Sequence, residues 1–247
     1  MNGEDKTKPG LLDALRSVKK LLADNEDTAQ VFTILEALGK RATKRAWRKF
    51  SRLPQADTIL AQPDLIHLLQ DREKLAAMPE GSLGRRYYEF MAHENITADG
   101  LVAASEDGLS GKREFTPLEE KFHLRQRDSH DLWHVVTGYG RDQLGELALL
   151  AVYYRQISNP GFMMIVLFGA RAGRKEYPGI GIWAAIREGL RHGRQMDWLP
   201  GIAWEDYMDM PLEEVRTKLN IAAPVKYHQA RAKMREMNSD YQAQAAE

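Results

Sequence analysis

The stretch HDLWHVVTGYGRDQLGELAL, residues 130–149, limits the fold more than any other. Helix-forming sequence lies on both sides of Thr137-Gly138-Tyr139-Gly140, and the two glycines there are poor helix formers and good helix terminators. A helix running unbroken from His130 would carry Glu146 about 24 Å along the axis and ~160° around it. A stop at the glycines and a fresh start at Asp142, a favoured N-cap residue, instead folds a second helix back on the first. Glu146 then lies about one turn inside that second helix, facing the first, among Leu144, Leu147 and Leu150. The chain here is predicted to be a helical hairpin.

The rest of the sequence reads as helix too. Apolar residues recur at helical spacing from Leu11 to Ala23. They do so again from Asp27 to Phe50, where Val31, Leu35, Leu38, Ala42 and Ala46 share one face. Pro63-Asp64 opens a helix through Leu65, Leu68, Leu69 and Leu75 that ends at Pro79-Glu80-Gly81. Short helices are expected at 82–95 and 97–105, then a loop at 106–115. Thr116-Pro117 caps and starts a helix that carries the histidine motif. Breaks at 158–161 and 177–181 precede a long helix through Trp183, Ile186 and Leu190, and 210–219 forms a last packed helix. No period-two pattern lasts long enough for a strand, so the expected fold is all-α. It is a single-domain multi-helix bundle over residues 1–225, with a polar tail at 226–247 that is helical or partly disordered.

The 247 residues carry 35 Lys and Arg against 35 Asp and Glu, so no global charge draws the chain to nucleic acid, and none is expected as a partner. The absence of cysteine excludes disulfides, thiolate catalysis and sulfur-ligated metals. The first ten residues, MNGEDKTKPG, have neither the apolar core of a secretory signal nor the acid-free composition of a transit peptide. The longest apolar run, GFMMIVLFGA at 161–170, is about half the length that spans a bilayer.

His130 and His134 stand four apart, so a helix projects both imidazoles from one face. Asp131 is rotated by ~100° and reaches the rim of such a site. Glu146, returning on the second helix into apolar surroundings, needs a partner for its charge, and a cation held by two histidines provides one. The other reading is a helix that merely carries histidines. Nitrogen and oxygen donors without sulfur suit zinc first, and also iron(II), manganese, cobalt or magnesium. Asp131 stands where the H-E-x-x-H zinc proteases place a catalytic glutamate. An H-D pair also fits the HD-type phosphohydrolases, which would have to recruit His93 or His123.

Read as H-D-x-x-H followed by eleven residues and E, the motif His130, Asp131, His134, Glu146 resembles that of the coenzyme Q biosynthesis protein 4 family. PEGSLGRRYYEFM at 79–91 and WEDYMDMPLEEVRTKLNI at 204–221 are similar as well, and the resemblance runs from about residue 10 to 222. It implies an all-helical protein of ubiquinone synthesis, a bacterial member by its N-terminus, peripheral on the cytoplasmic face of the inner membrane. It also implies a divalent metal on the motif, a dimer, and contacts with other ubiquinone biosynthesis enzymes. Two roles go with the family. One is oxidative decarboxylation, in which the ring carboxyl of a polyprenyl-hydroxybenzoate is replaced by hydroxyl. The other is a non-catalytic lipid-binding scaffold. For the first role His130, Asp131, His134 and Glu146 are the catalytic residues, with Asp131 the candidate for a looser ligand.

A prenyl substrate needs an apolar channel, for which Met163, Met164, Ile165 and Phe168 are candidates, although a Met-rich stripe is usually packing. It also needs access from the bilayer. GKRATKRAWRKFSR at 39–52 holds seven cations and no acid, including Lys44, Arg45 and Arg48 around Trp47. Composition favours a solvated helix face, whereas the family resemblance favours a membrane-surface contact.

Overall fold

The computed structural model describes residues 10–24, 27–96 and 115–245, and within them proline, glycine and side-chain caps divide the chain into thirteen α-helices. α1 (Leu11–Ala23) and α2 (Thr28–Phe50) form the first pair. Three short helices follow, α3 (Ala56–Ala61), α4 (Leu65–Gln70) and α5 (Arg72–Ala77), then α6 (Leu83–His93). The expected single helix after Pro63 is two, because the Asp71 carboxylate turns back to accept the Lys74 N–H at 3.0 Å and starts α5. The helix expected at 97–105 and most of the loop after it lie outside the described residues. α7 (Pro117–Asp128), α8 (His130–Thr137), α9 (Gln143–Ile157), α10 (Pro160–Glu176) and α11 (Ile182–Gln195) build the centre. After two 3₁₀ turns come α12 (Leu212–Lys218) and α13 (Val225–Ala245). Among the described residues there is no strand, and an isolated bridge joins Ser82 to Pro211.

α9 is the axis of the bundle. Its sequence, LGELALLAVYY, is apolar around most of its circumference, and such a helix is stable only when wrapped by others. Leu149, Ala151 and Val152 are fully buried, with α10 on one side and α11 on the other. One continuous core runs from Ala14 and Val18 of α1 through α9 to Tyr227 and Ala230 of α13, and makes the chain a single domain. A second, smaller cluster gathers Phe50, Ile59, Leu60 and Phe122 at the end of α2.

The polar tail expected from residue 226, helical or partly disordered, is helix within the described residues, and the first turns of α13 place Tyr227 and Ala230, three apart on one face, inside the main core. Trp47 does not stand out from the basic end of α2; its ring packs 5.8 Å from Phe122 and 6.1 Å from Phe50. The seven cations around it are all exposed. No described helix is long and apolar enough to cross a membrane.

Candidate metal centre

The helix that starts at the Thr116 cap does not carry the motif unbroken. It stops at Asp128, where Ser129 ends α7 with its N–H on the Arg125 carbonyl (3.0 Å) and its hydroxyl on the Gln126 carbonyl (3.3 Å). A serine that bonds backbone in this way competes with the helix ladder. α8 then opens on His130 and runs for eight residues. It ends at Gly138, whose φ of +75° is the left-handed turn that glycine enters without strain. Four residues later Asp142 accepts the Gly145 N–H at 3.1 Å and starts α9. Gly145 lets the turn close onto the start of α9, since a methyl group there would lie 2.0 Å from the Gly140 carbonyl oxygen.

This closure brings three donors together. The Nε2 atoms of His130 and His134 stand 3.3 Å apart, His134 Nε2 is 3.4 Å from Glu146 Oε1, and His130 Nε2 is 3.9 Å from Glu146 Oε2. Two donors bound at ~2.05 Å in a tetrahedral shell stand about 3.3 Å apart, so the set fits one divalent ion with little movement. Each ring is fixed from behind. His134 Nδ1 donates to the Tyr139 carbonyl at 2.9 Å, leaving Nε2 as the acceptor, and the ring stacks on Phe90. With Nε2 likewise turned inward, His130 Nδ1 is hydrogen-bonded to the Tyr153 hydroxyl at 3.3 Å, and the Tyr153 ring stacks on Trp133 at 3.9 Å.

Electrostatics match a site prepared for a cation. Burial and the neighbouring His134 hold His130 below the ordinary histidine range. Burial also pulls on His134, but the Glu146 carboxylate outweighs it and raises the ring. Burial would raise Glu146, yet the two histidines and Arg141 overcome it and bring the carboxyl down to about 2. His134 and Glu146 therefore favour each other's charged forms, and an ion bound at the site would take the place of an imidazolium proton. The donor set is not closed on all sides. His134 is fully buried, whereas 21% of the His130 side chain and 33% of Glu146 are exposed.

Asp131 does not join this group of three. It is buried close by, where its charge acts to raise both histidines and, after burial, raises the Tyr87 hydroxyl and, with Glu146, that of Tyr153. The donor group also leaves out His93, exposed at the end of α6 beside Glu94, and His123, set against Phe115 and Phe122. Among the described residues neither histidine that an HD-type phosphohydrolase would have to recruit joins the group. The four channel candidates face different ways. Met163 opens onto a surface groove of about 390 Å³, Met164 packs against the core, Ile165 is buried in it, and Phe168 is 41% exposed.

The profile of the family described as Coenzyme Q (ubiquinone) biosynthesis protein Coq4 matches residues 7–105 and 117–225. The chain belongs to the Coq4 family. Among its relatives, the mitochondrial ubiquinone biosynthesis protein COQ4 homolog of Danio rerio is 30% identical over 183 residues, covering 69% of this chain and 61% of that protein. The rat homolog is 26% identical over 200 residues, covering 80% of this chain and 72% of the relative. The fold recurs in the crystal structure of a Nostoc punctiforme protein named for ubiquinone biosynthesis. Its TM-score is 0.62 at 21% identity, over 85% of this chain and 96% of that one.

Sequence reasoning missed the groups behind this Coq4-family centre. The carbonyl of Tyr139 is backbone and leaves no trace in residue type. Tyr153 and Phe90 read as ordinary core, and Arg141, 3.9 Å from Glu146, reads as a turn residue. A basic residue directly before the Asp142 cap was the one available signal.

Proposed function

We propose that this protein acts in ubiquinone biosynthesis as a metal-dependent enzyme that replaces the ring carboxyl of a polyprenyl-hydroxybenzoate with hydroxyl. One observation carries the reading. Two imidazole nitrogens and a carboxylate converge at single-ion spacing, with the Glu146 side of the group reaching solvent. Three protein donors with an accessible side is the catalytic pattern, whereas a structural ion is enclosed by four. Membership of the Coq4 family supports the pathway.

A divalent ion held by His130, His134 and Glu146, zinc first by its donors and otherwise iron(II), manganese, cobalt or magnesium, would supply Lewis acidity toward a carboxylate and its neighbouring phenolate. The chain's own residues do the rest. The Tyr139 carbonyl holds the His134 ring in the tautomer that leaves Nε2 free, and the Tyr153 hydroxyl orients the His130 ring. Arg141, about one-third exposed at the rim, offers a guanidinium to an incoming carboxylate. Phe90 covers the buried face of His134 and keeps water from it. In net terms one aryl carboxylic acid and one oxygen atom of dioxygen give one phenol and one carbon dioxide. The bond from ring to carboxyl breaks and a bond from ring to oxygen forms. The second oxygen atom leaves as water, with two electrons and two protons from a reductant.

The substrate is lipid, and the exposed cations of α2, among them Lys44, Arg45 and Arg48, supply a surface for anionic lipid, each worth ~1 kcal/mol near the membrane. This supports peripheral attachment at the cytoplasmic face of the membrane. The deciding assay incubates the metal-loaded protein with a carboxylated prenylphenol, dioxygen and a reductant. Release of carbon dioxide with gain of a ring hydroxyl, both lost in Glu146→Ala, is the expected result. No turnover, in a protein whose Glu146→Ala variant still abolishes ubiquinone production in cells, would overturn catalysis in favour of a lipid-binding scaffold.

A further inference from the structure

The hairpin that carries the donors is soft by composition. α8 is about two turns long, and the connection to α9 contains two glycines, the residue type with the most backbone freedom. Three ligands keep one ion only if they are held to within about 0.5 Å, so the stiffness must come from outside the hairpin. It comes from the C-terminal segment. Arg216 of α12 donates from Nε to the Val136 carbonyl (2.9 Å) and from Nη2 to the Val135 carbonyl (3.1 Å), filling acceptors that the last turn of α8 leaves open. Pro224 lies against Gly138.

Tyr227, fully buried in the first turn of α13, then closes the turn itself. Its hydroxyl accepts the Gly140 N–H at 3.0 Å and donates to the Asp142 carboxylate, the same carboxylate that caps the helix bearing Glu146. Arg231, one turn on, reaches Asp142 at 3.0 Å. The Tyr227 ring packs edge-on at 5.5 Å against Tyr139, whose carbonyl holds His134. Tyr227 is held in turn: the Glu188 carboxylate accepts the backbone N–H groups of Lys226 (2.8 Å) and Tyr227 (3.1 Å).

We propose that the start of α13 is a clamp that sets the geometry of the metal centre, with Tyr227 as its positioning residue. One hydroxyl ties the end of the His130–His134 helix to the start of the Glu146 helix and so fixes the gap between the donors. The Coq4 family match ends at residue 225, so the clamp is built by chain beyond the matched part. The inference rests on the metal-binding reading of the site.

The test is a cobalt(II) titration followed by visible absorption, with thermal unfolding of each metal-free variant alongside. Tyr227→Phe keeps the buried ring and removes the hydroxyl. The expected result is cobalt binding weakened about tenfold or more, the usual cost of losing a group that orients a ligand, together with a changed cobalt spectrum. A folded Tyr227→Phe protein with wild-type spectrum and affinity within about twofold overturns the clamp, because a merely structural role would move only the melting temperature. Should Tyr227→Phe not fold, Arg231→Met, on the same Asp142 carboxylate but partly exposed, decides by the same two readings. Wild-type protein that does not bind cobalt refutes the metal reading itself, and the clamp falls with it.

Discussion

Replacing Gly145 by alanine tests how closely the motif must fold on itself. A methyl at that position would lie 2.0 Å from the Gly140 carbonyl oxygen and 2.8 Å from its carbon. That is about 1.5 Å inside ordinary van der Waals contact. The obstacle is backbone, which cannot rotate away, so the turn must retreat from α9. Overpacking of this kind costs about 1–3 kcal/mol, and the gain in helix propensity from glycine to alanine offsets at most ~1 kcal/mol. A net loss of about 1–2 kcal/mol is expected in urea unfolding of the metal-free protein. The same retreat widens the 3.4 Å gap between His134 and Glu146, and half of it already takes the pair past the spacing of two donors on one ion. Cobalt affinity should fall at least tenfold, about 1.4 kcal/mol. A Gly145→Ala protein as stable as wild type, with unchanged cobalt affinity, would refute both the tight crossing and its link to the site.

Three further outcomes follow from the same geometry. Metal affinity should strengthen as pH rises through and beyond the ordinary histidine range, because the Glu146 carboxylate raises His134 and the ion must compete with its proton; a pH-independent cobalt Kd would contradict this. In the metal-free protein the lowered carboxyl of Glu146 adds stability that is fully present above about pH 4.5 and lost as pH falls toward 2. Glu146→Gln should flatten the acid-unfolding curve in that window. Arg125, buried in a two-pronged pair with Glu205 at 2.6 Å and also bonded to the Ile202 carbonyl, should cost about 3–5 kcal/mol as Arg125→Met. That loss appears in chemical denaturation.

Much of this molecule was legible in its residues, for a physical reason. Helical periodicity, proline starts and glycine stops are local, so α1, α2, α6, the start of α7 and the turn into α9 could be read, with the caps at Ser82, Thr116 and Asp142. The pairing of His130 with His134 follows from helix geometry, and the return of Glu146 from the glycines between them. Errors arose where a single polar side chain redirected the chain. Asp71 split one expected helix and Ser129 separated α7 from α8, and neither bond is visible as a pattern.

The sequence alone therefore determined the helical class, the turn in the motif and four candidate ligands, His130, Asp131, His134 and Glu146, because each depends on residues within a few turns of one another. Only the tertiary structure decided that Asp131 stands apart from the donor group, that Tyr139 and Tyr153 fix the two rings, and that the channel candidates face different ways. It also decided that a segment read as tail places Tyr227 against Gly140 and Asp142, 87 and 85 residues away. Contacts across such separations depend on how whole helices pack, and no local period records them.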